Sequence, residues 1–269
     1  MTVGEALRVA TARLNAAGVA GAAGDARRLM AHMVGRIAPD DPVLDRDRWE
    51  ALVAARAARQ PVSQIVGRRA FWRHEFRVTS DTLDPRPETE TLVQAALEET
   101  FARVLDLGTG TGCILLSLLA ERSEATGLGT DLSPAALDVA RDNAAVLKLE
   151  DRATFRHGDW LSGVDGTFDL IVSNPPYITA AEMAELQPEV RDWEPALALS
   201  PGGDGLDAYR VLARDAPAHL APGGRLIVEV GSRQADAVSA LWRAAGLTKI
   251  EVRRDLDGRD RVVLGRKAS

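Results

Sequence analysis

A rigid tetrapeptide, Asn174-Pro175-Pro176-Tyr177, follows an apolar run and carries the clearest chemistry in the chain. Two consecutive prolines fix two backbone dihedral angles and remove two N–H donors. The segment can therefore offer a pair of acceptors, the side-chain oxygen of Asn174 and the carbonyl oxygen of Pro175. A planar amino group has two donors, so two acceptors can hold it in one plane while Tyr177 stacks on it. The tetrapeptide predicts a site that binds a planar nitrogen and aims its lone pair.

A glycine-rich segment, Gly108-Thr109-Gly110-Thr111-Gly112, lies between a predicted strand and a predicted helix. Alternate glycines allow a tight turn and let a ligand touch main-chain atoms. Asp106 stands just before this loop, where a carboxylate suits an ammonium group and repels a diphosphate. Asp131 ends the next predicted strand, where it can accept both hydroxyls of a ribose. Trp160 follows a third strand, and its ring can cover an adenine.

A ligand that combines a ribose, an adenine and an amino-acid end without a diphosphate is S-adenosylmethionine. NAD and ATP fit less well, because the sequence has neither the dinucleotide fingerprint nor a phosphate loop with its Lys-Ser/Thr. A sulfonium methyl is already activated, and two acceptors assist a delocalised nitrogen as positive charge builds on it. These residues predict methyl transfer to a planar nitrogen. Instead of binding a ribose, Asp131 could be an ordinary cap before Ser133. Instead of covering an adenine, Trp160 could be a core residue.

Strands and helices alternate beyond residue 100 and place these residues at strand ends. The predicted strands are 103–107, 125–131, 153–155, 168–173 and 225–230, and the predicted helices include 113–122 and 133–147. Such alternation is typical of a parallel sheet with helices on both faces. The last two strands, 249–253 and 261–264, flank Asp257-Gly258, a hairpin signal. We therefore expect an α/β fold with a mostly parallel sheet that finishes in an antiparallel hairpin.

The beginning of the chain has a different pattern. Thr2 and Glu5 form a capping box, and apolar residues then repeat at helical spacing through three segments that end near Gly18, Gly35 and Pro61. No catalytic pattern occurs there, so a helical bundle that packs or recognises something is the simplest interpretation. We expect three parts: a helical recognition domain in residues 1–70, a hairpin linker in 71–86 and a catalytic domain in 87–269.

Charge and composition narrow the function classes. The chain has a net charge of −6, which argues against a protein that grips nucleic-acid phosphates. Residues 1–70 carry +4 and the remaining residues −10. The single cysteine, Cys113, excludes an internal disulfide, and the four histidines show no metal-ligand spacing. No apolar run is long enough to span a membrane, and no signal peptide is evident. We expect a cytoplasmic monomer with no metal and no nucleic-acid or membrane partner.

The tetrapeptide is similar to that of methyltransferases acting on planar nitrogens, namely adenine-N(6) DNA enzymes, guanine-N(2) ribosomal RNA enzymes and glutamine-side-chain protein enzymes. Other segments resemble the PrmC (HemK) family over nearly the whole chain. These segments are Pro85-Arg86-Pro87-Glu88-Thr89-Glu90, Glu194-Pro195, Gly202-Gly203-Asp204-Gly205-Leu206 and Glu229-Val230-Gly231 with Gln234. The resemblance implies a class I S-adenosylmethionine-dependent methyltransferase sheet. It also implies methylation of the glutamine in the Gly-Gly-Gln motif of class I peptide chain release factors, a step of translation termination.

For the residues, the resemblance implies cofactor contacts from Gly108–Gly112, Asp131, Trp160 and Asn174, and substrate-glutamine contacts from Asn174–Tyr177. Two alternatives stay open at this point. A DNA or RNA amino-group methyltransferase would need base extrusion and a basic surface, and the catalytic region is acidic. A cofactor-binding or scaffold module without activity is disfavoured by the intact tetrapeptide. The roles of Glu194 and Glu229 are not assigned by the sequence.

Overall fold

The computed structural model describes all 269 residues and forms two compact units. The smaller unit comprises residues 1–68 and 186–193, and the larger unit comprises residues 69–185 and 194–269. The smaller unit is therefore built from two separate stretches of the chain. The functional division into recognition, linker and catalytic parts stays a prediction.

The elements alternate as follows. The helices are α1 (Val3–Ala16), α2 (Ala22–Val34), α3 (Arg46–Ala57), α4 (Val62–Val66), α5 (Glu90–Leu97), α6 (Cys113–Glu121), α7 (Pro134–Leu147), α8 (Pro188–Arg191), α9 (Ala196–Leu199), α10 (Asp207–His219) and α11 (Ala235–Ala244). The strands are β1 (Arg68–Phe71), β2 (His74–Arg77), β3 (Arg103–Leu107), β4 (Thr126–Asp131), β5 (Ala153–His157), β6 (Phe168–Ser173), β7 (Leu220–Glu229), β8 (Thr248–Arg254) and β9 (Asp260–Arg266). Short 3-10 turns cover Pro87–Thr89 and Glu182–Glu185. None of the helices is both long and apolar enough to cross a membrane.

The three helices predicted at the start of the chain are confirmed, and α4 is an additional one. The backbone N–H of Thr2 donates to Glu5 Oε2 at 2.8 Å, and the N–H of Glu5 donates to Thr2 Oγ1 at 3.2 Å, which completes the predicted capping box. Asp45 accepts from the Arg48 N–H at 2.9 Å and caps α3. The apolar faces of α1, α2 and α3 meet in one buried cluster that includes Trp49.

A partly buried cluster of charges holds the second stretch of the smaller unit, residues 186–193. Arg56 donates to Asp25 Oδ2 at 2.8 Å and to Glu189 Oε1 at 2.9 Å. Arg59 donates to both oxygens of Glu189, at 2.7 and 2.5 Å. Burial opposes ionisation of Glu189, but the hydrogen bonds from Arg59 and Arg56 lower its pKa to about 2. The carboxylate is therefore charged throughout the physiological range, and removing either arginine leaves this partly buried charge with one cationic partner instead of two.

The larger unit contains a seven-stranded sheet in the order β5-β4-β3-β6-β7-β9-β8. Neighbours from β5 to β7 are parallel, whereas β9 pairs antiparallel with both β7 and β8. The predicted mostly parallel sheet with an antiparallel hairpin at its end is thus confirmed. The chain moves outward from β3 to β4 and β5 and then returns to β6 on the other side of β3. Strand order reverses between β3 and β6, and ligands of open α/β sheets bind at the carboxyl ends of strands at such a point.

Two apolar layers cover the sheet. One layer includes α5, α6 and the β1–β2 hairpin, whose Phe71 and Phe76 are buried with their ring centroids 6.1 Å apart. The other layer includes α10 and α11, where Tyr209 and Trp242 are fully buried. The hairpin predicted as a linker thus contributes core residues to the larger unit.

Helices α10 and α11 and the first half of β7 were not predicted from the sequence. Pro217 lies in the last turn of α10, so it removes only the hydrogen bond that its N–H would have given to the Ala213 carbonyl. Pro222-Gly223-Gly224 is typical of a turn, yet it lies inside β7. The register of β7 against β6 shifts between Phe168 and Leu170, which accommodates this irregular stretch.

Candidate active site

The glycine loop leaves β3 and enters α6, as the sequence predicts. Gly108 and Gly110 have φ of 70° and 54°, values that side-chain-bearing residues rarely adopt. A Cβ atom built at either position would meet no other atom within 4 Å, so the loop presents its backbone to open space. This surface can approach a ligand directly.

Asp131 lies at the end of β4 and ties the loop to the next helix. Its Oδ2 accepts from the Gly110 N–H at 2.8 Å, and its Oδ1 accepts from the Ser133 N–H at 2.9 Å. Ser133 is itself the N-cap of α7, since its hydroxyl accepts from the Ala136 N–H. Burial raises the pKa of Asp131, and these backbone hydrogen bonds oppose the shift. Each carboxylate oxygen retains a lone pair for a hydroxyl donor, so the structural role and the predicted ribose role are compatible.

Asp106 lies beneath the loop and is fully buried. The Thr109 hydroxyl donates to its Oδ2 at 2.7 Å, whereas its Oδ1 has no hydrogen-bond partner in the protein. Burial raises the pKa of Asp106 to about 7. A buried acceptor without a partner is costly, so Oδ1 is the atom here that fits a cationic or hydrogen-bonding ligand.

A cavity of about 360 Å³ opens at the carboxyl ends of β3, β4 and β6, within the ordinary range of small-molecule sites. Among the predicted contacts, it is lined by Gly108, Thr109, Gly110, Thr111, Asp131, Trp160, Asn174 and Pro176. Asp106, Gly112, Pro175 and Tyr177 are not among its lining residues. Trp160 is held beside it with φ of 52°, and its carbonyl accepts from the Thr130 hydroxyl at 3.3 Å. Polar backbone from the loop and an aromatic ring therefore lie in the same cavity.

The Asn-Pro-Pro-Tyr corner follows β6 directly. Asn174 Nδ2 donates to the Thr89 hydroxyl at 3.2 Å, while its Oδ1 makes no hydrogen bond within the protein. No backbone N–H donates to the carbonyl oxygen of Pro175. The two acceptors that the sequence predicts are therefore both unused. Tyr177 packs against the apolar layer of α10 and α11, and its stacking on a substrate stays a prediction.

Thr89 and Glu229, whose roles the sequence does not predict, connect the two ends of this corner. The Thr89 hydroxyl donates to Glu229 Oε2 at 2.6 Å, and the Tyr177 hydroxyl donates to Glu229 Oε1 at 3.3 Å. Burial raises the pKa of Glu229 to about 7 and also raises the pKa of Tyr177. An acidic residue at the end of an otherwise apolar strand was the signal that could have marked Glu229.

Gln234 and Gly205 both lie against the backbone carbonyl of Tyr177. The Gln234 side chain donates to the Tyr177 carbonyl at 3.0 Å and accepts from the Gly231 N–H at 3.1 Å. Gly205 has φ of 77°, and a Cβ there would lie 2.4 Å from the Tyr177 carbonyl oxygen. The backbone of Tyr177 is thus fixed by a hydrogen bond and by a close approach that only glycine allows.

Arg86 lines the cavity and pairs with the buried Glu194. Arg86 Nη2 donates to both oxygens of Glu194 at 2.7 Å, and the Glu194 side chain is 1% exposed. Burial raises the pKa of Glu194 to about 7, although Arg86 acts in the other direction. Because Pro195 lines the cavity, this pair holds the segment that forms part of the cavity wall.

The chain matches the Methyltransferase small domain over residues 79–189 and the PrmC N-terminal domain over residues 5–67. A release factor glutamine methyltransferase of Cereibacter sphaeroides is 61% identical over 274 residues, covering 99% of each chain. A protein of the same name from Rhodospirillum rubrum is 50% identical over 267 residues, covering 95% of this chain and 82% of that one. A methyltransferase from Pyrococcus furiosus of known structure is 15% identical, with a TM-score of 0.58, and covers 82% of this chain and 98% of that one.

The solved structure supports the fold alone, and it agrees with the class I methyltransferase sheet expected from the sequence. The family models and the full-length relatives confirm the resemblance that the motifs indicated. The chain belongs to the release factor glutamine methyltransferase family.

Proposed function

We propose that this enzyme transfers a methyl group from S-adenosylmethionine to the side-chain amide nitrogen of the glutamine in the Gly-Gly-Gln motif of class I peptide chain release factors. One observation carries the assignment. A corner with two unused acceptors, Asn174 Oδ1 and the Pro175 carbonyl, follows β6 beside a cavity at the point where strand order reverses. Family membership supplies the substrate class that the corner by itself leaves open.

The two acceptors suit a carboxamide. Its NH₂ group would donate one hydrogen to Asn174 Oδ1 and the other to the Pro175 carbonyl, which holds the nitrogen in a fixed plane. Both hydrogen bonds strengthen as positive charge develops on the nitrogen, so they stabilise the transition state more than the bound substrate. The rigid prolines add orientation, since the acceptors need not be reorganised when the substrate arrives.

The cavity residues fit the cofactor. Asp131 would accept from the ribose hydroxyls, Trp160 would cover the adenine, and the loop backbone would contact the amino-acid end, with Asp106 Oδ1 facing its ammonium group. When bound, S-adenosylmethionine supplies a methyl group that is already activated on a sulfonium. The protein's contribution is then binding, orientation and exclusion of water, and no general base is required at the corner.

The protein partner in this proposal is a class I release factor, which also implies a cytoplasmic location. The smaller unit is the candidate for recognising the body of that partner, because its residues 1–68 and 186–193 carry a net charge of +2 while the remaining residues carry −8. The catalytic corner would contact only the glutamine and its immediate neighbours.

A labelling experiment tests the assignment. The purified enzyme is incubated with methyl-labelled cofactor and, separately, with a release factor, the same factor with its Gly-Gly-Gln glutamine replaced by alanine, a ribosomal protein and DNA. We expect label only on the unmodified release factor, located by mass spectrometry on the glutamine side chain. Label on nucleobases, or equal label on the alanine variant, would contradict the proposal.

A further inference from the structure

A continuous chain of hydrogen bonds connects the two ends of the catalytic corner through Thr89, which lines the cavity, and Glu229. Asn174 Nδ2 donates to Thr89 Oγ1 at 3.2 Å, and Thr89 donates to Glu229 Oε2 at 2.6 Å. Tyr177 donates to the other carboxylate oxygen of Glu229 at 3.3 Å. Thr89 and Glu229 are both 1% exposed, so water does not substitute for these contacts. The chain thus begins and ends on the Asn-Pro-Pro-Tyr segment.

The direction of these hydrogen bonds is fixed. A hydroxyl has one hydrogen, and Thr89 gives it to Glu229 across the shorter of its two contacts. Thr89 can then only accept from Asn174, so the side-chain NH₂ of Asn174 must face Thr89. The Asn174 carbonyl oxygen is consequently the atom left for a ligand. Without this constraint an asparagine amide can turn over, because its two ends have nearly the same shape.

We propose that Thr89 and Glu229 are positioning residues that set the polarity of the Asn174 amide, so that the corner presents two acceptors and selects an NH₂ group. The inference rests on the proposed function and extends it from the residue that contacts the substrate to the two residues that orient it. A neutral Glu229 could donate to Thr89, which would let Thr89 donate to Asn174 and reverse the amide. The ionised carboxylate is therefore the productive form.

Several charged or titratable groups face Glu229 and influence its charge. Arg261 favours the ionised form, and the Tyr177 hydroxyl also stabilises it, whereas Glu88 disfavours it. The Tyr209 hydroxyl donates to the backbone carbonyl of Glu229 at 2.9 Å. Burial raises the pKa of the Cys113 thiol, and the charge of Glu229 acts in the same direction. Because burial raises the pKa of Glu229 to about 7, the carboxyl becomes protonated as pH falls below neutrality. Turnover at saturating substrates should then decline on the acid side.

The test compares matched variants at Thr89. Thr89→Val removes the hydroxyl but keeps the shape, whereas Thr89→Ser keeps the hydroxyl. We expect Thr89→Val to lower kcat about tenfold to a hundredfold, the range that a small misplacement of a catalytic group costs. We expect Thr89→Ser to stay within about threefold of the unmodified enzyme. The cofactor Kd, measured by calorimetry, should change less than twofold in both. Equal kcat in Thr89→Val and the unmodified enzyme would overturn the proposal.

The pH profile of kcat tests Glu229. The unmodified enzyme should lose activity below about pH 7, and Glu229→Gln should be slower but independent of pH from 5.5 to 8. An unchanged acid limb in Glu229→Gln would contradict the proposal. Ser239→Ala serves as the control, because this buried hydroxyl lies in α11 and has no hydrogen-bond partner. Its kcat and pH profile should match those of the unmodified enzyme.

A measurement without substrate separates this inference from the proposed function. The side-chain NH₂ of Asn174 can be followed by ¹⁵N NMR, and its hydrogen exchange should be slow when Thr89 accepts from it. We expect faster exchange in Thr89→Val and slow exchange in Thr89→Ser. If the release factor were not methylated at all, this readout would still decide whether Thr89 orients the amide. Identical exchange in all three proteins would reject the positioning role.

Discussion

At the scale of single residues, the site depends on oxygen atoms that the protein leaves unused. Asp106 Oδ1, Asn174 Oδ1 and the Pro175 carbonyl all lack a partner. Native structures satisfy most buried polar atoms, so the buried Asp106 Oδ1 calls for an explanation, whereas the partly exposed Asn174 lines the cavity and is open to a ligand. In the proposed function, cofactor and substrate would complete the hydrogen bonds that folding leaves open.

Replacing Asn174 by alanine should separate catalysis from cofactor binding. Asn174→Ala removes one of the two acceptors for the substrate nitrogen, and we expect no detectable methylation of the release factor. Cofactor affinity should weaken by about tenfold or less, since only one of several contacts is lost. Methylation assays and calorimetry on the same preparation check both expectations. Unchanged turnover would contradict the role proposed for Asn174.

Cofactor affinity should rise with pH because of Asp106. Its pKa of about 7 lies above the ordinary value, so the carboxyl is mostly neutral at pH 5.5 and about half ionised at pH 7. Only the ionised form attracts the ammonium group of the cofactor, and we expect several-fold tighter binding at pH 7 than at pH 5.5. Calorimetry across this range measures the change. In Asp106→Asn, cofactor binding should be weaker at pH 7 and should vary less with pH. If cofactor affinity changed equally with pH in both proteins, a group other than Asp106 would be responsible.

Some residues of the candidate site could be placed from the sequence and others could not. The glycine loop, Asp131 and Asn174 follow strands, and parallel strands bring their carboxyl ends to one edge, so their proximity could be predicted. Thr89 and Glu229 could not be placed by the same argument. They contact each other across 140 positions of the chain, and nothing local to either residue indicates the partner.

At the scale of elements, the catalytic corner is shaped by a loop that contributes no side chain to it. Gly205 allows the loop backbone to approach Tyr177, and Gln234 from the start of α11 holds the same carbonyl group. The rigidity of the corner therefore comes from two prolines within it and from two later segments of chain.

Two glycines of the same loop provide a matched comparison. Gly202 and Gly205 have φ of 82° and 77°, so alanine at either position is strained by about 1–2 kcal/mol. Only at Gly205 does the added Cβ also collide with backbone, the Tyr177 carbonyl oxygen. We expect Gly205→Ala to lose more unfolding free energy than Gly202→Ala and to lower kcat as well. Urea unfolding and methylation assays measure the two effects. Similar values for both variants would show that the close approach has no consequence.

Strands with clean apolar patterns were predicted to within one or two residues, as β3 and β6 show. Helix α10 and the first half of β7, unlike α11, contain residues that normally interrupt such elements. Pro217 stands in the last turn of α10, and Pro222-Gly223-Gly224 stands in β7. Tertiary packing overrides local preference at these positions, because both elements are covered by neighbours in the core.

At the scale of the whole molecule, charge is divided unequally along the chain. The exposed side chains of Arg8 and Arg27 line a groove between α1 and α2 on the smaller unit. In the proposed function, these two cations would suit an acidic surface on the protein partner, since complementary charge accelerates association.

Reversing both charges tests recognition without disturbing catalysis. The double variant Arg8→Glu with Arg27→Glu should raise KM for the intact release factor by about tenfold and leave KM for a short glutamine peptide unchanged. The control reverses Arg243 and Lys249, two exposed cations of the larger unit. Steady-state kinetics on both substrates decide the matter. A similar rise for peptide and protein would mean that the groove does not recognise the partner.

The membership of residues 186–193 in the helical unit had no signal in the sequence. It depends on Glu189 reaching Arg56 and Arg59, about 130 positions earlier, and single-sequence patterns do not encode such pairings.

This discontinuity has a practical meaning for anyone who wishes to exchange modules between related enzymes. In a chimera that exchanges only residues 1–68, the native Glu189 would face the residues that the other enzyme has in place of Arg56 and Arg59. The octapeptide from Leu186 to Trp193 has to be transplanted together with the N-terminal segment, as two inserts of one graft. Likewise, a gene truncated to begin at residue 69 would still encode residues 186–193 of the smaller unit. Glu189 in this segment would then lack Arg56 and Arg59, the two cations that pair with it.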